Sequence, residues 1–338
     1  MHTRRRIGLW PYKGGGRILK LVVLDSYTAV STDLSLDCFK LYCDEMTVYE
    51  RTPPEEVAAR IGDAEAVLIN KTVITRRIFE LCPRLQYIGL FATGYNVVDI
   101  EAAKDHGVVV SNAPAYSTNA VAQLTFAMIL HFYSLVSSHD ARVHTGEWTN
   151  CRDFCFYDPR IRELAGKTIG LIGFGNIAKK VAQLAQAFDM PVLVWSRTQY
   201  PEYENQMLRF VPFETLLQNS DIVSLHCPLF PSTYHLIDRS AVAQMKAGAL
   251  LVNTARGAVL DEQAVADALN SGHLSGAGID VAEKEPIPGD SPLLSAKNCV
   301  ITPHIAWACR ESRERLIETV LDNFQSFLAG KPKNNVAK

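Results

Sequence analysis

Six residues, Gly173-Phe174-Gly175-Asn176-Ile177-Ala178, have the types and spacing to hold a pyrophosphate against bare backbone. Gly173 permits a tight turn, Gly175 lets a phosphate approach the main chain, and Ala178 is small enough for close helix-strand packing. The helix that should begin there offers unpaired N–H groups and partial positive charge to an anion. A second set of polar residues follows other strand-like runs: Thr254, Ala255 and Arg256 after one, Glu283 and Glu285 after the next, His304 after the last. Ligands of an open parallel sheet bind beyond the carboxyl ends of its strands. An arginine, a carboxylate and a histidine could therefore meet at one sheet edge, beside the dinucleotide.

The elements that must position these residues are legible as patterns. Residues 168–172 form a short apolar run ahead of the glycine turn, and Ile177, Val181, Leu184, Ala185 and Phe188 then fall on one helical face. The next strand, 191–195, ends roughly 20 residues after the fingerprint, where the residue that reads the adenosine ribose belongs. An NAD-specific site usually places Asp or Glu there. Here stand Ser196, Arg197 and Thr198, a guanidinium and two hydroxyls that suit a 2'-phosphate, so NADP(H) is a candidate cofactor beside NAD(H).

Strand-like segments at 19–24, 46–49, 66–69, 87–90 and 108–110 precede a long apolar helix expected over 119–139. Further strands are expected at 222–225, 249–252, 277–281 and 300–302, and a final helix over 310–328 carries Leu316, Ile317, Val320, Leu321, Phe324 and Phe327 on one stripe. Alternation of strand and helix implies an α/β fold of two doubly wound, parallel-sheet, Rossmann-like domains separated by a cleft. The expected division is a disordered tail at 1–17, a substrate domain of 18–112 plus 308–338, and a dinucleotide-binding domain of 113–307.

Composition narrows the function classes. With 338 residues, 48% of them hydrophobic, the chain can build two cores. A net charge of -2 gives no footprint for nucleic acid or an anionic membrane, and no apolar run suggests a membrane span. Eight cysteines without a C-x-x-C pair read as thiols of a reducing cytoplasm, and no metal-ligand spacing is visible.

Longer motifs carry a resemblance that covers about 19–330. They are FATGYNVVD (91–99), GLIGFGNIA (170–178), LHCPL (225–229), NTARGAVLDE (253–262), GIDVAEKEP (278–286) and TPHIAWA (302–308). Together they resemble the D-isomer-specific 2-hydroxyacid dehydrogenases, and PAYST (114–118) with HIAWA (304–308) is most similar to the glycerate dehydrogenase and hydroxypyruvate reductase group.

The resemblance implies that Arg256 binds the substrate carboxylate and carbonyl oxygen, His304 is the acid/base, and Glu285 pairs with His304 to favour its protonated form. Backbone around Thr93 and Gly94 should hold the substrate carboxylate, with Lys71, Tyr116 and Trp307 as pocket walls. Asp280 should bind the nicotinamide carboxamide, Gly173, Gly175, Asn176 and Ile177 the pyrophosphate, and Ser196, Arg197 and Thr198 the ribose. His226, Cys227, Pro228, Thr233, Thr254 and Ala255 should line the rest of the cofactor groove. Hydride transfer at nicotinamide needs no metal.

The implied activity is reduction of a small 2-keto acid to the D-2-hydroxy acid, with hydroxypyruvate or glyoxylate as substrate, and the implied assembly is a homodimer through the crossover helix. Two other readings share the motifs. One is a dinucleotide-sensing protein resembling transcriptional corepressors of this fold. The other is 3-phosphoglycerate dehydrogenase, which would need a cationic phosphate subsite for which Lys71 is the candidate.

Overall fold

The computed structural model describes residues 19–338, so the tail expected at 1–17 lies outside the described residues. The chain divides into two units, one holding residues up to Tyr116 together with Arg310–Lys338, the other Ser117–Cys309.

The first unit is built on five parallel strands: β1 (Lys20–Val23), β2 (Glu45–Val48), β3 (Ala66–Ile69), β4 (Tyr87–Leu90) and β5 (Val109–Ser111). Their spatial order is β2-β1-β3-β4-β5. Side chains alternate across a strand, and β3 and β4 are buried on both faces, which explains their unbroken apolar runs. Val67, Ile69, Ile88 and Leu90 pack on one face with Phe79, Ala102 and Ala103 from the helices Arg76–Leu81 and Ile100–Asp105. The helix Arg310–Leu328 belongs to this unit, and its Phe324 ring lies 5.5 Å from Tyr87 and 6.2 Å from Phe39.

The second unit carries seven parallel strands: β6 (Ile169–Ile172), β7 (Val192–Trp195), β8 (Leu208–Phe210), β9 (Ile222–Leu225), β10 (Ala249–Asn253), β11 (Leu274–Ile279) and β12 (Cys299–Ile301). Their order is β12-β11-β10-β9-β6-β7-β8. Ile222, Leu250 and Val252 face one core while Val223, Leu225 and Leu251 face the other, the two-residue period of a sheet covered on both sides. The chain runs outward from β6 through β7 to β8 and then returns to β9 beside β6. That reversal creates a topological switch point between β6 and β9.

The helix expected over 119–139 is two helices, Thr118–Ser134 and Val136–His144, bent by 56°. Leu135 breaks it by adopting φ 50°, a left-handed conformation that costs an L-residue energy, and apolar periodicity carries no sign of such a single-residue turn. Strand β8 also escaped the pattern: Leu208 is its one buried residue, so it has no apolar run to recognise. Among the described residues no single helix is long and apolar enough to cross a membrane.

Candidate active site

The switch point of the second unit is open to an anion. Gly173 follows β6 with φ 92°, and a side chain there would strike the backbone of His226 and Cys227 at 2.8–2.9 Å, so only glycine lets the two loops meet. Gly175, at the N-cap of the helix Asn176–Ala187, makes no side-chain cap, and a Cβ built on it would meet nothing within 4 Å. The result is a cradle of bare backbone at a helix N-terminus, fitted to a pyrophosphate. Ser196 is half-buried at the end of β7, with Arg197 and Thr198 exposed beyond it. The Arg197 guanidinium lies 5.9 Å from the centre of the Phe230 ring.

His226 follows β9 with its ring nitrogen Nε2 2.9 Å from Ser224 Oγ, and burial pushes its pKa down to about 3, so the ring is neutral near pH 7. Cys227, Thr233 and Thr254 are buried. Thr233 Oγ1 accepts the Phe230 N–H at 2.7 Å and donates to the Pro228 carbonyl at 2.8 Å, which shapes the turn after β9. Thr254 Oγ1 lies 3.2 Å from Thr125 Oγ1 on the helix Thr118–Ser134.

Beyond β10, Asn253 organises the backbone. Its side-chain oxygen accepts the Ala255 N–H at 3.0 Å and its amide donates to the Arg256 carbonyl at 2.9 Å, closing a turn that leaves Arg256 exposed. Arg256 Nη1 donates to the Ala255 carbonyl at 2.7 Å. Beyond β11, Asp280 is 1% exposed, and its carboxylate accepts Thr302 Oγ1 at 2.6 Å and the N–H groups of Ile305 and Ala306 at 2.9 Å each. These bonds wrap the loop 302–306 around one anion.

His304 occupies the middle of that loop with φ 55°, a left-handed conformation rare for non-glycine residues, although His is among those that tolerate it. Its backbone N–H donates to the Asp280 carbonyl at 2.8 Å, so Asp280 holds His304 by its main chain and the neighbours of His304 by its side chain. His304 Nδ1 meets Glu285 Oε2 at 2.7 Å, and Glu285 Oε1 accepts the Ala282 N–H at 3.2 Å. A carboxylate at Nδ1 places the proton there and leaves Nε2 to exchange a proton with a ligand. Trp307 Nε1 donates to the His304 carbonyl at 2.9 Å, so the indole braces the same loop. Glu283 accepts from Tyr234 Oη at 2.9 Å and lies 3.2 Å from His235 Nε2, a second carboxylate-imidazole pair on the loop that carries Glu285.

Lys71, Thr93, Gly94 and Tyr116 lie in the first unit. Asp25, which follows β1, accepts the N–H groups of Asn70, Lys71 and Thr72 at 2.6–2.7 Å. A carboxylate thus fills the switch point between β1 and β3, the place where the second unit keeps bare backbone. Thr93 Oγ1 donates to the Ala113 carbonyl at 2.8 Å, and the Thr93 carbonyl accepts the Asn112 amide at 2.7 Å. The reading from sequence named none of Asp25, Asn253 and Thr302 as site residues. Their only signal was a polar type at a strand end: Asp25 and Asn253 act on backbone, and Thr302 acts on the Asp280 carboxylate, rather than on a ligand. Among the described residues no group of three His, Cys, Asp or Glu could hold a metal ion.

Comparison with known proteins gives the family of the chain. Residues 126–306 match the D-isomer specific 2-hydroxyacid dehydrogenase, NAD binding domain. The chain belongs to that family. A hydroxypyruvate reductase of Blautia hydrogenotrophica is 45% identical over 323 residues, covering 95% of this chain and 100% of the relative. A glycerate dehydrogenase of Methylorubrum extorquens is 37% identical over 296 residues, covering 86% and 92%. Among solved structures, an acyclic imino acid reductase in complex with NADPH and D-Arg superposes with a TM-score of 0.82 at 31% identity, covering 94% of this chain and 100% of that one. This D-2-hydroxyacid dehydrogenase is therefore an NAD(P)-linked oxidoreductase, and its two parallel-sheet units are those of its family.

Proposed function

We propose that this dehydrogenase reduces hydroxypyruvate to its D-2-hydroxy acid, or glyoxylate to the achiral glycolate, with NADPH as the preferred donor. The His304–Glu285 contact of 2.7 Å carries the acid/base assignment, and full-length likeness to a hydroxypyruvate reductase supports the substrate.

A nicotinamide dinucleotide, when bound, would supply or accept the hydride. As hydride reaches the keto carbon, charge develops on the carbonyl oxygen, and His304 donates a proton from Nε2 to that oxygen. Glu285 at Nδ1 holds the ring in the required tautomer and stabilises the charged ring before transfer. Arg256 offers a planar fork of donors to the substrate carboxylate and carbonyl, fixing orientation and stabilising the alkoxide as it forms. Oxidation of the hydroxy acid runs the same steps backwards, with His304 as base.

Gly173, Gly175, Asn176 and Ile177 are the proposed pyrophosphate residues, with Ser196, Arg197 and Thr198 at the ribose. His226, Cys227, Pro228, Thr233, Thr254, Ala255 and Asp280 complete the cofactor contacts. Lys71, Thr93, Gly94, Tyr116 and Trp307 are the proposed substrate contacts. We further infer a homodimer through the crossover helix and the segment that follows it, where Val136 in the helix is 68% exposed and Phe154 and Tyr157 beyond it are 90% and 71% exposed, apolar surface that suits burial by a second copy. Eight free thiols suit the reducing cytoplasm, the proposed location.

Steady-state turnover of hydroxypyruvate, glyoxylate, pyruvate and 2-ketoisocaproate, each with NADH and with NADPH, tests the reading. Fast reduction of hydroxypyruvate or glyoxylate is expected, with NADPH the better donor. Preference for 2-ketoisocaproate would overturn the small-substrate reading. Tight dinucleotide binding without turnover of any acid would favour a sensing role.

A further inference from the structure

The first turn of the helix Asn176–Ala187 holds a cation among aromatic rings. The Lys179 ammonium lies 5.8 Å from the centre of the Phe174 ring, 4.4 Å from Tyr200 and 4.3 Å from Tyr203. The rings also pack on one another: Phe174 meets Tyr203 edge-on at 5.4 Å, and Tyr200 meets Tyr203 at 6.2 Å. Phe174 is 3% exposed, and Phe210 of β8 closes on it edge-on at 5.2 Å. A cation over ring faces is held by the negative face of each π system, more strongly where water is partly excluded.

The position of this cage in the chain gives it meaning. Phe174 stands inside the glycine turn and Lys179 lies four residues beyond Gly175, whose carbonyl accepts the Lys179 N–H at 3.0 Å. Tyr200 and Tyr203 lie two and five residues after Thr198, beyond Ser196 and Arg197. Residues 196–199 carry no named helix or strand; Tyr200 follows them, and Tyr203 closes the short 3-10 helix Pro201–Tyr203. We propose that Lys179 is a positioning residue for cofactor choice: clasped by Tyr200 and Tyr203, it fastens the ribose-reading loop to the pyrophosphate turn and sets Arg197 at the distance of a 2'-phosphate. Lys179 acts through the loop rather than on the reacting atoms. The proposal rests on the dinucleotide reading of this site.

The test compares wild type with Lys179→Met, Lys179→Arg and Tyr203→Leu. NADPH and NADH dissociation constants are read by nicotinamide fluorescence, with kcat and cofactor KM for hydroxypyruvate and thermal melting to confirm folding. Lys179→Met and Tyr203→Leu should each weaken NADPH binding about tenfold or more, NADH binding less, with the loss falling on KM rather than kcat. Lys179→Arg keeps a cation over the rings and should stay within about threefold of wild type. Unchanged binding in both Lys179→Met and Tyr203→Leu would overturn the proposal. So would weakened binding in Lys179→Met alone, which would make Lys179 a direct phosphate ligand. A wild type that binds neither dinucleotide would remove the site reading and this proposal with it. A wild type that favours NADH would overturn the proposal while leaving the site reading intact, since Arg197 would then meet no 2'-phosphate.

Discussion

Gly257 lies so close to Ala282 that a Cβ added to the glycine would sit 1.8 Å from the Ala282 carbonyl carbon and 2.2 Å from the Glu283 nitrogen. The loop that presents Arg256 and the loop that leads to Glu285 are thus in backbone contact, and only a residue without a side chain permits it. Atoms of the main chain cannot rotate aside as a flexible side chain can. Gly257→Ala should therefore push the two loops apart, lowering kcat/KM by about a hundredfold or more and destabilising the fold by on the order of 3 kcal/mol. Kinetics together with thermal melting check this. Near-normal activity would mean that the contact between the loops does not matter to Arg256 or Glu285.

The His304–Glu285 pair predicts graded losses. Removing the imidazole in His304→Asn takes away the proton donor and should lower kcat by about 10²–10⁴-fold. Glu285→Gln keeps a hydrogen-bonding group near Nδ1 but drops the charge, so its loss should be smaller, about 10–100-fold. Dinucleotide affinity, measured by fluorescence titration, should change little in either variant. Equal losses in kcat and in dinucleotide binding would show that the pair shapes the fold rather than the proton transfer.

Asp280 holds the loop of His304 through three donors, and it is also the proposed contact of the nicotinamide carboxamide. The two roles separate in Asp280→Asn. An amide cannot accept with both ends, so one of the bonds from Thr302, Ile305 and Ala306 must be lost, at a cost of about 1–3 kcal/mol in stability. Loosening of His304 should lower kcat by about tenfold or more. If the variant instead raises dinucleotide KM at normal kcat and normal melting temperature, holding the loop is not what Asp280 does.

These relationships also show where reading from sequence succeeds and fails. Strand positions and the types of residue beyond them were legible because a buried parallel strand needs a continuous apolar run and its ligands gather at its carboxyl end. Thus β3, β4 and β9 have the bounds that their apolar runs suggest. What Asp280 and Asn253 grip was not legible, because their partners, mostly backbone N–H and carbonyl groups with the Thr302 hydroxyl, are placed only by how the next loop folds. The same holds for Asp25, whose carboxylate binds a loop 45 residues away. The turn at Leu135 and the cage around Lys179 depend on one residue's backbone angle and on rings from a separate loop, and neither leaves a periodic trace.

Alkaline solution should weaken the second unit, and its cysteines give the reason. Burial pushes the Cys227 thiol up to about 11 and the Cys299 thiol up to about 12, against 9.0 for the ordinary group. Above pH 9 the unfolded chain releases these protons while the folded chain keeps them. Since the folded state then binds more protons, stability falls as pH rises, from full value below pH 9 to its lowest beyond the folded values. At about 1.4 kcal/mol for each unit of difference, the two thiols together account for a loss on the order of 5 kcal/mol by pH 11. Melting temperature should fall steeply from about pH 9 to about pH 12, the window between the ordinary thiol value and the raised values of these two thiols. The double variant Cys227→Ala, Cys299→Ala removes both groups and should show a shallower fall over the same range. An identical slope in the double variant would assign alkaline unfolding to other groups, with Tyr133, raised to about 12 by burial, the next to replace.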